Sequence, residues 1–546
     1  MTRMNGGEAV AAALSALGVT HVFGIVSVHN LPIYEALSRR EDITVVRCRH
    51  EQGATHAADA FARTSGGLGV VLTSTGPGAV NAMAGLYEAQ FGSSPVLMIT
   101  GQIETRFLGK GKGFLHEAER QVEMLRTVTR RAESVRRTED IAATVIAVAT
   151  DLRRGRPQPG AIEIPIDLQY RTAEVEVPPP PPPSPTHPEP SAIEAAAKLL
   201  NQAERPLIWA GGGVISADAA AALEQVATAL GAPVITTIEG RGALPEDHPL
   251  CLGPRVERTA LSPIIGEADV VLAVGTRFQN YATRVWQLAI GGELIHIDAD
   301  PAVIGRNYPA ALPIVADARV ALEALAPRLR AGNVDDGFVD RARKSVQADL
   351  EQSREETGPD HWAIWQAIRR LLPPDAPIVR DSTVPAYLWG NRVLPVLRPR
   401  TSVRPSSLAI GPGVPLAVGA ALGSGARTLL IQGDGGLMLS VGELATLAEY
   451  RLPVVVCVFN DRGYGVLRQI QDGVMDHRFG VDLHTPDFAK LGKAMGIASE
   501  RVAGVEQFEA AFARAVDRDG PTLLDIDMAA LAPLQFPLPA HQQRRS

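Results

Sequence analysis

Short apolar runs alternate with longer stretches of helical periodicity through the first third of the chain. The apolar runs occupy residues 20–26, 43–48, 70–75, 95–100 and 161–166. Runs of this length, each followed by a helical pattern, are typical of parallel strands with crossover helices. The pattern therefore predicts a doubly wound α/β domain.

The same rhythm recurs twice further along the chain. In the middle region the apolar runs lie at 207–213, 233–238, 269–275 and 294–298. After a charged helical stretch around residues 335–356, a third set lies at 378–381, 428–432, 453–459 and 522–526. Because 546 residues are too many for one hydrophobic core, we predict three consecutive doubly wound parallel-sheet α/β domains.

A proline-rich segment at residues 177–190 marks the first boundary, since proline donates no backbone hydrogen bond and favours an extended path. Helical sequence resumes at Ser191, which has the capping-box spacing to Glu194. We predict an N-terminal domain at 1–172, a linker at 173–190, a central domain at 191–335, a C-terminal domain at 336–535 and a tail at 536–546. The tail is expected to be mobile, with a lid over a functional site as the alternative.

The bulk composition is that of an ordinary globular protein, with 46% hydrophobic residues, 21% charged residues and a net charge of −7. It predicts neither a nucleic-acid partner nor a membrane surface, and a cytoplasmic location follows by default. Cys48, Cys251 and Cys457 are scattered through apolar runs. We expect them to be buried thiols without a catalytic role.

Gly433-Asp434-Gly435 ends one apolar run of the third region, and Asn460-Asp461 ends the next. Glycines at the carboxyl end of a strand let the backbone approach a phosphate. Two carboxylates at the ends of neighbouring strands can together hold a hard cation such as Mg²⁺. Gly-Asp-Gly alone is a common turn, and the second strand end is what favours a functional site.

This pairing resembles the cofactor motif of the thiamine-diphosphate enzymes related to acetolactate synthase, benzoylformate decarboxylase and pyruvate oxidase, and the resemblance covers almost the whole chain. It implies Mg²⁺ ligation by Asp434, Asp461 and the carbonyl of Gly463. Asp461 stands where many members have Asn, which keeps an oxygen ligand. The resemblance further implies cofactor contacts from the flanking residues Gly433, Gly435, Gly436, Tyr464 and Gly465.

A second match is Arg49-His50-Glu51, just after a predicted strand. In the family this Glu contacts the cofactor's pyrimidine ring across a subunit interface, where it promotes loss of the thiazolium proton. The resemblance therefore implies that Glu51 is catalytic and that the protein is a homodimer or homotetramer. Without the resemblance, Glu51 is equally well explained as a helix-start charge.

Three further segments resemble cofactor-binding parts of the family. The turn from Thr75 to Asn81 corresponds to the one beside the pyrimidine, and both residues are expected contacts. In the segment 408–415, the resemblance places the carbonyl of Leu408 near the exocyclic amine and makes Ile410 the wedge that bends the cofactor. Asp381-Ser-Thr383 resembles the diphosphate segment of benzoylformate decarboxylases, which makes Thr383 a phosphate contact.

The substrate side is less well defined by the sequence. His116 aligns with a polar active-site residue of the family and could move a proton at the substrate carbonyl. Val26-Ser27 departs from the usual Pro-Gly, which leaves His29 as a weaker candidate. Gln469, on a helix expected to begin there and to face the substrate, is a further weak candidate. In the central domain, the segments 211–213 and 298–300 could hold FAD or ADP.

Three hypotheses about function remain at this point. The first is decarboxylation or carboligation of a 2-oxo acid, as in acetolactate synthase. The second is a lyase for 2-hydroxy ketones or 2-hydroxyacyl-CoA, so that the substrate is a 2-oxo acid, an aldehyde or an acyl-CoA. The third is a non-catalytic nucleotide-binding regulatory protein, against which Glu51, Asp434 and Asp461 argue.

Overall fold

The computed structural model describes residues 1–256, 258–330 and 334–534. Within them the chain forms three six-stranded sheets, in each of which all neighbouring strands are parallel, and one small two-stranded sheet. α-Helices lie between consecutive strands of the first sheet and between most of those in the third, but between only some of those in the second. The predicted fold class, three consecutive parallel-sheet α/β domains, is confirmed.

The first sheet has the strand order β3-β2-β4-β5-β7-β6, and β1 pairs with β8 in the antiparallel two-stranded sheet. The elements are β1 (Thr2–Asn5), α1 (Gly6–Ala16), β2 (His21–Gly24), α2 (Leu31–Ser38), β3 (Thr44–Arg47), α3 (Glu51–Ser65), β4 (Gly69–Thr73), α4 (Pro77–Gly92), β5 (Val96–Gln102), α5 (Gln121–Arg126), β6 (Arg131–Ser134), α6 (Ile141–Leu152), β7 (Gly160–Pro165), α7 (Ile166–Tyr170) and β8 (Thr172–Val175). The next fourteen or so residues form neither helix nor strand.

The second sheet has the order β11-β10-β9-β12-β13-β14. Its elements are α8 (Pro190–Gln202), β9 (Pro206–Ala210), α9 (Gly212–Ser216), α10 (Ala220–Leu230), β10 (Val234–Thr236), β11 (Cys251–Gly253), α11 (Ser262–Glu267), β12 (Val270–Val274), β13 (Glu293–Asp298), β14 (Leu312–Val315) and α12 (Ala318–Leu325).

The third sheet has the order β16-β15-β17-β18-β20-β19. Its elements are α13 (Asp336–Leu371), β15 (Ile378–Arg380), β16 (Ser402–Val403), α14 (Gly413–Ser424), β17 (Thr428–Gly433), α15 (Asp434–Leu439), α16 (Glu443–Glu449), β18 (Val454–Asn460), α17 (Gly465–Val474), α18 (Phe488–Ala494), β19 (Ala498–Val502), α19 (Val505–Asp517) and β20 (Thr522–Asp527).

The strands that the apolar pattern did not predict lie mainly at sheet edges. They are β6, β11, β14, β16 and β19, together with the β1–β8 pair. In β14 and β19 only one residue is buried, because an edge strand has one solvated side. Such strands lack the continuous apolar run that reveals a central parallel strand.

Two local predictions need correction. The predicted capping box at Ser191 is wrong, because α8 begins one residue earlier at Pro190 and its cap residue, Glu189, makes no side-chain cap hydrogen bond. Proline at the first position suits a helix start, since its fixed φ is already helical. The helix that carries Gln469 begins at Gly465, four residues before the predicted start.

Three other expectations concern boundaries, cysteines and membrane association. β8 lies inside the predicted linker, and the domain boundaries stay predictions; the predicted tail, 536–546, lies outside the described residues. Cys48 and Cys457 are buried free thiols, whereas Cys251, on the edge strand β11, is only half-buried. In the part of the chain that the structure describes, no helix is both long and apolar enough to cross a membrane.

Helices α3 and α14 hold the first and third domains together. Their residues share one hydrophobic core, which contains Ala57 and Phe61 of α3 and Leu416 and Val418 of α14. At the crossing, a Cβ on Gly419 would lie 1.9 Å from the carbonyl oxygen of Ala57. Only glycine permits the two backbones to approach this closely, so the spacing of the two domains depends on that residue.

Gly419→Ala should therefore destabilise the protein, although alanine is the better helix former. We expect the free energy of unfolding to fall by about 1–3 kcal/mol, because the helices must separate. Gly266→Ala is the matched control, since Gly266 lies in the exposed part of α11 with open space at its Cβ position. It should be neutral or stabilising by up to about 1 kcal/mol. Thermal unfolding measures the stability of both variants. Equal unfolding midpoints for Gly419→Ala and Gly266→Ala would contradict the prediction.

Candidate active site

The two acidic strand ends of the third domain lie side by side. β17 and β18 are adjacent parallel strands, with Gly433 opposite Phe459. Asp434 follows the last residue of β17, and Asp461 follows the last residue of β18. Because the carboxyl ends of parallel strands share one edge of the sheet, the carboxylates meet as the sequence predicted.

Asp434 is fully buried at the first position of α15. Its carboxylate accepts a hydrogen bond of 2.8 Å from the backbone N–H of Gly463 and a longer one of 3.4 Å from that of Asp461. These bonds fix the turn after β18 against the turn after β17. The carbonyl of Gly463, the predicted third ligand, therefore belongs to the same turn.

Burial raises the pKa of Asp434, and burial together with the neighbouring Asp434 carboxylate raises the pKa of Asp461. Arg468 is the cation that the described residues bring to the pair: its guanidinium lies 3.8 Å from the carboxylate of Asp461 and also donates to the backbone carbonyl of Asp461 at 3.0 Å. A divalent cation shared by the two carboxylates would favour both ionised forms. The donor set suits Mg²⁺, which prefers oxygen ligands.

The described residues contain no cluster of three or more His, Cys, Asp or Glu side chains suited to a metal. The Asp434–Asp461 pair supplies two carboxylates, so the remaining ligands must come from backbone oxygens, water or a bound diphosphate. Mg²⁺ commonly binds in this way, through one or two carboxylates plus phosphate oxygens.

Glycines let the two turns pack without side chains between them. A Cβ on Gly465 would lie 1.7 Å from the Asp461 carboxylate, and one on Gly435 would lie 2.9 Å from the ring of Tyr464. A Cβ on Gly433 would lie 2.9 Å from the hydroxyl of Thr383. Thr383, the two glycine turns and Tyr464 thus lie together and form one cradle; their contact with a cofactor stays a prediction.

The segment that carries Leu408 and Ile410 closes one side of this cradle. The methyl Cγ2 of Ile410 would lie 3.6 Å from a Cβ on Gly436, and the side chain remains 40% exposed. Leu408 has a left-handed φ of 68°, and its carbonyl accepts a hydrogen bond from Ser382 at 3.1 Å. The structure therefore places Ile410 beside the glycine turn that follows Asp434, and Leu408 beside Ser382.

The sequence reasoning missed the buried carboxylate that orders this segment, Asp381. It accepts hydrogen bonds from the backbone N–H groups of Gly411 and Gly413 and from the amide of Gln432. Burial raises its pKa. Its position at a strand end was visible in the sequence, but nothing local showed which backbone groups it would bind.

Glu51 lies at the first residue of α3, beside the start of α4. The amide of Asn81 donates to the Glu51 carboxylate at 3.1 Å, and a Cβ on Gly78 would lie 3.2 Å from the same carboxylate. Glu51 is half-buried. The predicted contact turn, from Thr75 to Asn81, therefore lies directly against the predicted catalytic acid.

His116 and His29 form a pair near that turn. Their rings are 5.3 Å apart, and among the described residues the Nδ1 atom of neither has a hydrogen-bond partner. Burial and then the proximity of His116 lower the pKa of His29. His116 has a left-handed φ of 62°, and a Cβ on Gly76 would lie 2.7 Å from its carbonyl oxygen.

The loop with the unusual Val26-Ser27 is shaped by Asn30. The Asn30 side chain accepts from the N–H of Ser27 at 2.7 Å and donates to the carbonyl of Ile25 at 3.1 Å.

Gln469 lies in α17 and donates to the carbonyl of Leu534 at 3.3 Å. It thus lies beside the last described residue of the chain.

Three buried polar residues near His116 were also missed by the sequence reasoning: Gln102, Gln121 and Glu163. Gln121 accepts from the Gly76 N–H and donates to Glu163. Their sequence settings, at a strand end, a helix start and the middle of a strand, give no signal of a network.

A cavity of about 520 Å³ lies between the three domains. The candidate central-domain segments both reach it, through Gly212, Gly213 and Asp298. Arg63 and Arg156 from the first domain and Arg404 from the third also line it. The cavity is therefore rich in arginine and has the glycine turn at one wall.

Comparison with protein families gives three matches along the chain. Residues 4–124 match the N-terminal TPP binding domain of thiamine pyrophosphate enzymes, residues 193–325 match their central domain and residues 385–526 match their C-terminal TPP binding domain. Thiamine pyrophosphate is the same molecule as thiamine diphosphate. The candidate residues around Glu51 fall in the first match, and those around Asp434 fall in the third.

Several characterised or named proteins are similar over nearly their whole length. A probable acetolactate synthase large subunit of Methanocaldococcus jannaschii is 33% identical over 98% of this chain and 94% of its own length. A probable 2-ketoarginine decarboxylase of Pseudomonas aeruginosa is 34% identical, covering 96% and 94%. The acetolactate synthase isozyme 2 large subunit of Escherichia coli is 30% identical, covering 97% and 96%. With all three domains matched and relatives of 30% identity or more along nearly its whole length, this chain belongs to the thiamine pyrophosphate enzymes.

Proposed function

We propose that the protein is a thiamine-diphosphate-dependent enzyme that decarboxylates a 2-oxo acid and releases the product or joins it to a second carbonyl compound. The observation that carries the proposal is the pair formed by the buried carboxylate of Asp434 and the half-buried carboxylate of Asp461, beside the glycine turns. Relatives named as acetolactate synthases and as a 2-ketoarginine decarboxylase support this reaction class. A lyase acting on 2-hydroxy ketones or 2-hydroxyacyl-CoA remains the alternative.

When bound, thiamine diphosphate supplies a thiazolium carbon that can lose a proton and attack a carbonyl carbon. Asp434, Asp461 and the Gly463 carbonyl would hold Mg²⁺, and Thr383 with the glycine turns would hold the diphosphate. Glu51 holds a proton at the pyrimidine ring. Asn81 keeps that carboxylate in place through its hydrogen bond.

His116 and His29 serve the substrate side of the site. The lowered pKa of the buried His29 favours its neutral imidazole, which can donate one proton and accept another. Their unpartnered Nδ1 atoms support a role in binding the substrate's carbonyl or carboxylate oxygen. Gln469 on α17 stays a weaker candidate for a substrate contact.

We further propose that each active site forms between two copies of the chain, in a homodimer or homotetramer. Apolar side chains remain exposed beside both groups of site residues, with Val80 and Tyr87 on α4 and Ile410 and Leu439 beside the metal pair. Exposed apolar patches of this kind favour protein–protein contact. A second copy that covers them would bring Glu51 of one chain to the metal pair of the other.

The central cavity supports a nucleotide as an additional ligand. Arginines beside a glycine turn suit a diphosphate group, and a volume of about 520 Å³ falls in the range of small-molecule sites. Burial raises the pKa of Asp298 on the same wall to about 6. FAD or ADP in this cavity stays a prediction.

Release of carbon dioxide from a panel of 2-oxo acids tests the proposed reaction. We expect release with at least one straight-chain or branched substrate, dependent on thiamine diphosphate and Mg²⁺. Asp434→Ala should reduce release to background because it removes a metal ligand. Cleavage of 2-hydroxy ketones without any carbon dioxide release would instead favour the lyase.

Chelation tests the metal site. EDTA should release thiamine diphosphate and added Mg²⁺ should restore it, because without the cation the carboxylates and phosphates repel one another. Asp434→Ala should weaken cofactor binding by more than about 100-fold, whereas Asp461→Asn should stay within about tenfold, since its amide oxygen still coordinates. Calorimetric titration measures the affinity of the wild type and of both variants for thiamine diphosphate. Equal affinity of the wild type with and without Mg²⁺ would remove the basis for the metal site.

Glu51→Gln should lower kcat by about 100-fold or more while leaving the thermal midpoint unchanged. Glu41→Gln, on the exposed surface of the same domain, is the control and should behave as wild type. Turnover of Glu51→Gln at the wild-type rate would show that this carboxylate is not catalytic.

Mixing Glu51→Gln chains with Asp434→Ala chains by co-expression tests the shared site. In a mixed dimer with shared sites, one site contains both changes and the other contains neither. The mixture should regain about one quarter of wild-type activity, although each variant alone is inactive. No recovery in verified mixed dimers would show that each site lies within one chain.

A further inference from the structure

One buried side-chain amide, that of Gln121, connects the turn at Gly76 to the carboxylate of Glu163 in the N-terminal part of the site. Gln121 begins α5 and is 1% exposed. Its carbonyl oxygen accepts from the N–H of Gly76 at 2.9 Å and from the hydroxyl of Thr75 at 3.0 Å. Its amide nitrogen donates to the Gly101 carbonyl at 3.0 Å and to the Glu163 carboxylate at 2.9 Å.

These four contacts leave the amide only one orientation. Its oxygen faces two donors and its nitrogen faces two acceptors, so exchanging the two atoms would place like groups together. Glu163 is itself fixed, because it also accepts from the amide of Gln102 at 2.9 Å and from the hydroxyl of Ser134 at 2.9 Å. All of these residues belong to the first domain, whereas Asp434 and Asp461 belong to the third.

The group that Gln121 holds is the turn between β4 and α4. Gly76 has a left-handed φ of 57°, and its missing Cβ makes room for the carbonyl of His116. Pro77 then begins α4, which carries Asn81 and its hydrogen bond to Glu51. A shift of this turn would therefore displace both Glu51's partner and the backbone of His116.

We propose that Gln121, oriented by Glu163, is a positioning residue that fixes the Thr75–Gly76 turn and thereby sets the places of Glu51 and His116. The proposal rests on the proposed function of those two residues. Gln121 touches neither of their side chains and acts through the backbone of the turn.

Isosteric changes distinguish this role from ordinary packing. Gln121→Glu keeps the size of the side chain but places a carboxylate oxygen against the Glu163 carboxylate and the Gly101 carbonyl. We expect the Kd for thiamine diphosphate with Mg²⁺ to rise, or kcat to fall, by about tenfold or more. Glu163→Gln should stay within about twofold of wild type, because its amide can still accept from both glutamines while Ser134 reverses its hydroxyl.

Combining the two changes gives the sharpest result. In Gln121→Glu with Glu163→Gln, the new amide can donate to the new carboxylate at the expense of its bond from Gln102, so recovery is partial: Kd or kcat should improve by at least about threefold over Gln121→Glu alone. Thr138→Val is the matched control, since it also removes one buried hydrogen bond of the same domain, to the carbonyl of Leu168. It should lower the thermal midpoint and leave both Kd and kcat within about twofold.

Calorimetric titration of thiamine diphosphate, steady-state kinetics and thermal unfolding are measured on all five proteins. If Gln121→Glu matches wild type in both Kd and kcat, or if the double variant shows no recovery, the positioning role is overturned. If wild type binds no thiamine diphosphate at all, the proposed function falls and this inference falls with it. The positioning role is supported if the wild type binds thiamine diphosphate, Gln121→Glu binds it more weakly or turns over more slowly, and the double variant recovers part of that loss.

Discussion

The site depends on two neighbouring carboxylates at adjacent strand ends, of which Asp434 is buried and Asp461 half-buried. Asp434 and Asp461 are placed there by the parallel pairing of β17 and β18, and burial raises the pKa of both. Such a pair is unfavourable unless a cation or protons neutralise it. The glycine turns, Thr383 and the segment around Ile410 are arranged around this pair, which makes it the centre of the C-terminal half of the site.

The first domain is held against the third by the close crossing of α3 and α14. A second contact strengthens the connection, because Glu443 of the third domain accepts hydrogen bonds from the N–H groups of Arg49 and His50. These groups stand at the start of α3, where a helix leaves its N–H groups unpaired. The residue before the catalytic candidate Glu51 is therefore anchored by another domain, so the orientation of the candidate acid depends on tertiary contacts.

Much of the fold could be predicted from the sequence, because central strands of parallel sheets are buried on both faces and read as continuous apolar runs. The edge strand β14 was not predicted, because its positions alternate between buried and solvated and give no continuous apolar run. The proximity of Asp434 and Asp461 could be predicted because both aspartates follow recognisable strand ends. Asp381, Gln121 and Glu163 could not, because hydrogen-bond partners far apart in sequence leave no local pattern.

By itself, the sequence determined the three α/β domains, the two acidic strand ends and the glycines between them, since each follows from short-range periodicity and turn chemistry. Only the tertiary structure decided which buried polar groups satisfy one another. It joined Gln121 to Gly76 across 45 residues and Asp381 to Gly411 across 30. The physical reason is that a buried donor or acceptor must find a partner, and the folded chain rather than neighbouring sequence determines which one lies within reach.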